Sequence, residues 1–343
     1  MIIAVDAMGG DYAPAEIVKG AAQGSISHDV DVILVGDRDT VKRHLPAEFA
    51  RSERIAIEHA SESIAMHEHV DAVRTKRDAS VVVAASLVRK GRADAMVSVG
   101  NTAAAMAIAS LKLGRIGGID RPAIATVLPN PKGASILLDA GAVVDCQVHH
   151  LKQFAMMGSV YAEKVLSVAN PRVGLLSVGE EKSKGSELVR AAHEALAESG
   201  LNFVGNVEGR DLFSGTADVI ASDGFAGNVA LKAAEGIIDY IVHVIREELA
   251  AHPLGWIPVA MLRPAMGRLR KKLDYSEYGG APLLGINGVC IIGHGRSKAI
   301  AVASAVRAAK EAVANGVIQA IRDAAARQHA GSGAAPTDAA GKT

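Results

Sequence analysis

The 343-residue chain reads as an α/β protein whose mainly parallel sheet is covered by helices on both faces, a three-layer α/β/α arrangement. Short apolar runs alternate with amphipathic stretches of helical period along most of the sequence, the pattern of repeated βα units. Aromatic residues make up only 3% of the chain, so the core is packed from Ala, Val, Ile and Leu, which suits strands buried on both faces. Polar residues also gather just after the apolar runs, and such folds bind ligands at the carboxyl ends of their strands. The length fits two average domains or one large layer structure; the chain is read as one domain over 1–326 with a tail over 327–343.

Taken in order, Ile2–Val5 is a strand ending in Asp6-Ala7-Met8-Gly9-Gly10-Asp11. It has no basic leader and meets Asp6 early, so it is expected to be the first strand and not a targeting segment. Pro14 suits an early helix position and opens a helix to about Gly24. Val30–Val35, closed by Gly36-Asp37, and Ile55–Glu58 are strands; a helix then runs through Ser80–Val88 to Gly91. Ala93–Val99 is a strand, followed by Gly100-Asn101-Thr102 and an alanine-rich helix to Leu113. Strands over Ala123–Leu128 and Ser135–Leu138 bracket the turn Pro129-Asn130-Pro131, and the second ends in Asp139-Ala140-Gly141. Next come a helix over Gln147–Val168, a strand over Val173–Val178, the polar turn Gly179–Gly185, a helix over Ser186–Ser199 and a strand over Asn202–Val204. The strand Ala217–Ala221 leads through Ser222-Asp223-Gly224-Phe225-Ala226-Gly227-Asn228 into a helix over Val229–Leu249. Ile237–Leu273 is helical with a break at His252-Pro253-Leu254-Gly255, which predicts a protruding helical hairpin over 237–275. Ala281–Ile286 and Val289–Ile292 return to the sheet, and Gly293-His294-Gly295-Arg296 starts a last helix to about Ala326. The tail beyond lacks periodicity and is expected to be disordered.

Lys plus Arg and Asp plus Glu both number 37, so bulk charge argues neither for nucleic acid nor for an acidic partner. Cys146 and Cys290 form no disulfide framework and no zinc spacing, which fits a reducing compartment. No run approaches the ~18 apolar residues that span a bilayer. G-x-G-x-x-G, G-x-x-x-x-G-K-[ST] and G-x-S-x-G do not occur, so the nucleotide and α/β-hydrolase fingerprints are missing. His67-Glu68-His69-x-Asp71 resembles a metal cluster on paper, but consecutive side chains diverge and the segment is read as a solvated loop. Neither a metal nor a cofactor is expected.

Asp6, Asp11, Asn101, Thr102, Asp139, Glu180, Lys184, Asp223, Asn228 and His294 all fall just after strands. Each is explained singly by helix capping or turn chemistry; together they point to one crevice. The Asp223–Asn228 turn is the natural anion site, because Gly224 and Gly227 allow positive φ or close backbone approach and the helix behind them presents N–H groups. From Leu249 to Leu273 there is no acidic residue, while Trp256, Ile257, Val259, Met261, Leu262 and Met266 alternate with Arg263, Arg268, Arg270, Lys271 and Lys272. An amphipathic helix on an anionic membrane accounts for both sets; a partner or dimer contact is the rival reading.

Asp6-Ala7-Met8-Gly9-Gly10-Asp11, Gly100-Asn101-Thr102, Asn170-Pro171-Arg172, Gly179-Glu180-Glu181 with Lys184-Gly185, Asp223-Gly224-Phe225-Ala226-Gly227-Asn228 and Gly293-His294-Gly295 resemble, in order and over residues 2 to about 325, the signatures of the PlsX family of acyl-acyl-carrier-protein:phosphate acyltransferases. The sequence departs from that pattern at Ala103, at Val143 where the family has asparagine, and at Gly293 where it has serine. The resemblance implies a homodimer with a fold similar to phosphate acetyltransferases and isocitrate-type dehydrogenases. It also implies a cytoplasmic enzyme bound peripherally to the membrane, which takes acyl groups from acyl carrier protein and passes acyl phosphate to a membrane glycerol-3-phosphate acyltransferase.

Phosphate is a competent oxygen nucleophile at neutral pH, so this reaction requires no covalent Ser or Cys. The site has to hold a dianion and stabilise the oxyanion of the tetrahedral intermediate. On this reading Lys184, His294, Asn101 and Glu180 are the catalytic candidates, and Asp6, Gly9, Gly10, Thr102, Asp139, Asp223, Gly224, Gly227 and Asn228 bind or orient substrate. A non-catalytic lipid- or carrier-binding scaffold is the alternative, and a decarboxylating dehydrogenase has no fingerprint to support it.

Overall fold

The computed structural model describes residues 1–251 and 279–331. Eleven strands among them form one sheet: β1 (Ile2–Asp6), β2 (Asp31–Gly36), β3 (Ile55–His59), β4 (Ala95–Ser98), β5 (Ala123–Asn130), β6 (Gly133–Leu138), β7 (Val173–Leu176), β8 (Phe203–Val207), β9 (Val219–Ala221), β10 (Ala281–Leu284) and β11 (Val289–Ile292). Their order across the sheet is β3-β2-β1-β4-β11-β10-β5-β6-β9-β7-β8. The helices are α1 (Ala15–Ser27), α2 (Arg38–His44), α3 (Ala72–Thr75), α4 (Ser80–Arg89), α5 (Thr102–Leu113), α6 (Val148–Val165), α7 (Glu187–Ala197), α8 (Gly224–Ala251), α9 (Ala299–Ala314) and α10 (Val317–Gly331).

Alternation along the strands builds the layers. Ile3, Val5, Ala95, Val97, Ile136 and Leu138 join one core with Ile17 of α1, Phe154 of α6, Leu196 of α7, Val302 of α9 and Ile321 of α10. Ala4, Met96 and Leu137 point the other way, into a core with Val81 of α4, Ile108 of α5 and Leu231 of α8. Period-two strands buried on both sides require such helical cover, and the three-layer expectation holds.

Strand direction is what positions the site. β3, β2, β1, β4 and β11 are mutually parallel, and so are β6, β9, β7 and β8. Between the two sets, β11, β10, β5 and β6 pair antiparallel in succession, so the sets run in opposite directions. In a flush sheet their carboxyl ends would lie on opposite edges. The register prevents this. Ile291 pairs with Pro282; Leu283 pairs with Ile124, which brings Pro282 level with Ala125; and Ala125 pairs with Leu138. The ends of β11 and β6 therefore stand at the same height, and the two sets of carboxyl ends face each other across a cleft.

Several boundaries depart from the sequence reading. α2 is an additional helix, begun by Asp37, whose side chain accepts from Thr40 N. The last helix is two, divided at Asn315-Gly316 where Gly316 has φ +63°, a left-handed value that suits glycine. α10 continues past Ala326 to Gly331. α8 starts at Gly224, so all of the Asp223–Asn228 segment after Asp223 is itself the first helical turn. The hairpin expected over 237–275 is described only as far as Ala251, as the continuation of α8. Trp256, Ile257, Met261, Leu262, Arg263, Arg268, Arg270, Lys271 and Lys272 lie outside the described residues.

Candidate active site

One wall of the cleft is built from the ends of β1, β4 and β11. Asp6 is 2% exposed and accepts hydrogen bonds from Ser80 Oγ at 2.5 Å and Ser98 Oγ at 2.7 Å. It ties β1 to β4 and to the start of α4, and burial pushes its carboxyl above the usual range. A Cβ on Gly9 would lie 2.9 Å from Gly100 Cα, so the two turns touch backbone to backbone. Gly10 has φ +107°, and Asp11 N donates to Gly295 O, joining the His294 turn to the same wall. Asn101 caps α5 by accepting from Ala104 N, while its Nδ2 donates to the carbonyls of Met66 and Glu68 at 3.2 and 3.0 Å. Both ends of that amide serve the scaffold. Thr102, one residue on, is exposed at the cavity wall.

The facing wall comes from the ends of β6 and β9. Asp139 is fully buried and accepts from the N–H groups of Ile124, Gly141, Ala142 and Val143 at 2.9, 3.2, 2.9 and 2.6 Å. Burial pushes its carboxyl up despite those donors. The first turn of α8 packs on this loop. A Cβ on Gly224 would lie 2.7 Å from Asp139 Oδ2, and one on Gly227 would overlap the Asp139 carbonyl oxygen. Neither glycine has positive φ; close approach is the reason for both. Gly224 N donates to Val143 O, Ala226 N to Asp223 Oδ1 and Gly227 N to Asp223 O. The N–H groups expected to cradle an anion are thus largely engaged within the chain.

Between the walls is a cavity of about 140 Å³, room for on the order of ten waters at ~10–15 Å³ each. Its polar lining comprises Thr102 and Thr126, Asn228 and Lys232 of α8, and His294 and Ser297 ahead of α9. His294 Nδ1 accepts from Arg296 N at 3.2 Å, which leaves the proton of the neutral ring on Nε2. Burial, and then the Lys232 ammonium, hold its pKa below the ordinary histidine value, so the ring is neutral at pH 7 and presents Nε2–H as a donor. Burial raises the Cys146 thiol to about 11 and Cys290 to about 12; neither is a thiolate nucleophile at neutral pH.

The structure therefore brings Thr102, Asn228 and His294 together at the cavity and sets Asp6, Gly9, Gly10, Asn101, Asp139, Asp223, Gly224 and Gly227 behind them as framework. Lys184 and Glu180 follow β7, farther along the sheet, and are absent from the cavity lining. Glu180 is paired with Arg210 at 2.9 Å. Arg172, in another of the quoted signatures, is spent on a two-point contact with Asp218 at 3.0 and 2.8 Å. Lys232, Thr126 and Ser297 are polar lining residues that sequence reasoning missed, and Lys232 is the charged one. Its signal was the four-residue spacing from Asn228, which puts both on one face of α8. A group of Asp120, His149 and His150 has possible ligand atoms within 4.8 Å of one another, outside the cavity lining. There His150 Nδ1 accepts from Gln147 N, part of the cap of α6.

The model of a family described as fatty acid synthesis protein matches residues 1–320. A phosphate acyltransferase of Pelotomaculum thermopropionicum is 53% identical over 326 residues, covering 94% of each chain. One from Desulfitobacterium hafniense is 50% identical over 324 residues, 94% of this chain and 97% of the relative. Among solved structures, a phosphotransacetylase from Streptococcus pyogenes superposes with a TM-score of 0.62 at 18% identity, covering 94% of each chain. A branched-chain phosphotransacylase from Enterococcus faecalis gives 0.57 at 14%, covering 91% of this chain and 99% of that one. At those identities the structural likeness concerns the fold. The full-length sequence matches settle the family: the chain belongs to the fatty acid synthesis protein family, the PlsX family of phosphate acyltransferases.

Proposed function

We propose that the protein transfers a long-chain fatty acyl group from the thioester of acyl carrier protein to inorganic phosphate, giving acyl phosphate for phospholipid synthesis. The observation that carries this reading is the cavity itself, where a neutral histidine donor, Thr102, Asn228 and a cation meet with no ionised thiol within reach. A phosphate oxygen attacks the thioester carbonyl carbon, the C–O bond forms and the C–S bond breaks. The proton of the hydrogen phosphate ends on the departing thiolate. His294 Nε2–H donates to the oxyanion or to the leaving sulfur; such preorganised donors act where charge develops. Thr102, at the start of α5, and Asn228 orient the phosphate. Asp6, Asp139, Asp223 and Asn101 hold the turns, since a carboxylate in direct contact would repel a dianion. Lys184 approaches the substrate from the β7 end, and Glu180, paired with Arg210, orients it.

The same reading includes a cytoplasmic homodimer peripherally bound to an anionic membrane and delivering product to a glycerol-3-phosphate acyltransferase. Support comes from α8, which has no buried residue among those described beyond Leu231 and exposes Ile237, Tyr240 and Ile241. Among the described residues no helix is long and apolar enough to cross a membrane. The decisive experiment is phosphate-dependent release of free thiol from acyl-carrier protein, with acyl phosphate trapped by hydroxylamine. Release without phosphate, or none at all, would overturn the reading in favour of a hydrolase or a scaffold. His294→Ala and Lys184→Ala are each expected to lower the rate, and unchanged rates in both folded variants would remove those two assignments. Undiminished liposome flotation of a Trp256→Glu, Ile257→Asp variant would remove the membrane contact.

A further inference from the structure

We propose that Lys232 is the cation that binds the attacking phosphate, an assignment that rests on the acyl transfer reading above. Among the described residues Lys232 is the only Lys or Arg lining the cavity, and Asn228 stands one helical turn before it on the same face of α8. Its ammonium is held by the Glu235 carboxylate at 3.0 and 2.9 Å, a contact within one helix that keeps the long side chain ordered. The side chain is 47% exposed, so the ammonium keeps solvent access and can exchange part of its contact with Glu235 for an incoming anion.

The alternatives on the page are weaker. The N-terminal N–H groups of α8 are mostly engaged by Val143 and Asp223. The Asn101 amide is spent on the 65–68 segment and on α5. Lys184 is outside the lining. A dianion in the cavity therefore meets the ammonium of Lys232 first, with Thr102 and Asn228 as neutral partners. Across the same space His294 Nε2–H faces the carbonyl under attack. The division of labour is a cation for the nucleophile and a neutral donor for the oxyanion. The cation also disfavours the imidazolium form of His294 and so keeps the two roles apart.

The test uses the full-length protein and inorganic phosphate. Lys232→Gln is expected to raise the phosphate KM on the order of 10- to 100-fold, the range for loss of a hydrogen bond to a charged partner, with the KM for acyl-carrier protein little changed. Lys232→Arg, which keeps the charge, is expected to recover part of the loss. An unchanged phosphate KM in Lys232→Gln overturns the assignment. A readout independent of turnover is the His294 ring titration by NMR. It should move to higher pH in Lys232→Gln, and phosphate should move it upward in the wild type and much less in the variant. Phosphate shifting both proteins equally would also overturn the assignment. If wild-type protein releases no thiol with phosphate while the NMR response depends on Lys232, the acyl transfer reading fails and the anion site stands.

Discussion

Asp139 shows how a residue that looks like a substrate ligand can serve the framework of a site. A carboxylate at a strand end is a reasonable substrate ligand in sequence, yet four backbone N–H groups surround it and no solvent reaches it. Asp139→Asn would set an amide N–H against those donors, and the expected loss is about 2–5 kcal/mol, measured as a shift of the denaturant midpoint. Gly227→Ala is expected to cost about 3 kcal/mol or more, because its methyl would occupy the space of the Asp139 carbonyl oxygen. Titration adds a pH dependence. Burial is the leading cause that lowers His28, His150 and His294 below the ordinary value near 6.5. Their contribution to stability is full above about pH 6.5 and is lost as pH falls through the folded-state values. Asp6 and Asp139, raised by burial, act in the opposite sense: their contribution is full below about 3.8 and is lost as pH rises through their folded values. The histidine contribution to the melting temperature should therefore fall from pH 7.5 to 5.5. His150→Gln should reduce that fall, since glutamine can accept the Gln147 N–H as the ring does without titrating. An equal fall in the variant would exclude His150 as a contributor.

At the scale of elements, the period-two and helical patterns were enough to locate every strand of the sheet to within a few residues. They were weakest where a short polar signal competes with a long pattern. Asn315-Gly316 divides the last helix in a run otherwise helical in period, and the Asp37 cap opens a helix too short to show periodicity. α5 links local signal to site. Asn101 looks like a ligand in Gly100-Asn101-Thr102, but it caps the helix and fastens the 65–68 segment beside the cavity. Asn101→Ala should lower stability by about 2 kcal/mol, a cap plus part of the segment's anchoring, seen in equilibrium urea unfolding. The loss should appear as well as increased proteolysis between Ser63 and Asp71.

At the scale of the whole molecule, the cleft exists because antiparallel pairing through β10 and β5 reverses strand direction while the register slides the two halves past each other. A ligand that binds this native cleft and not the unfolded chain stabilises the fold by mass action, about 2.7 kcal/mol at a hundredfold excess over Kd. Inorganic phosphate should raise the melting temperature of the wild type, and an equal rise with Lys232→Gln would place the anion elsewhere.

What the sequence determined by itself was the class of structure and the family. Hydrophobic periodicity is a local property, and the ordered motifs from Asp6 to His294 are read along the chain without knowing where they meet. Tertiary structure alone decided which of those polar residues line the cavity. Burial and hydrogen-bond partnership depend on strand order and register, contacts between residues far apart in sequence. They turned Asp6, Asn101 and Asp139 inward to hold the turns and left Thr102, Asn228 and His294 at the cavity. They also brought Lys232 to a place that no motif had marked.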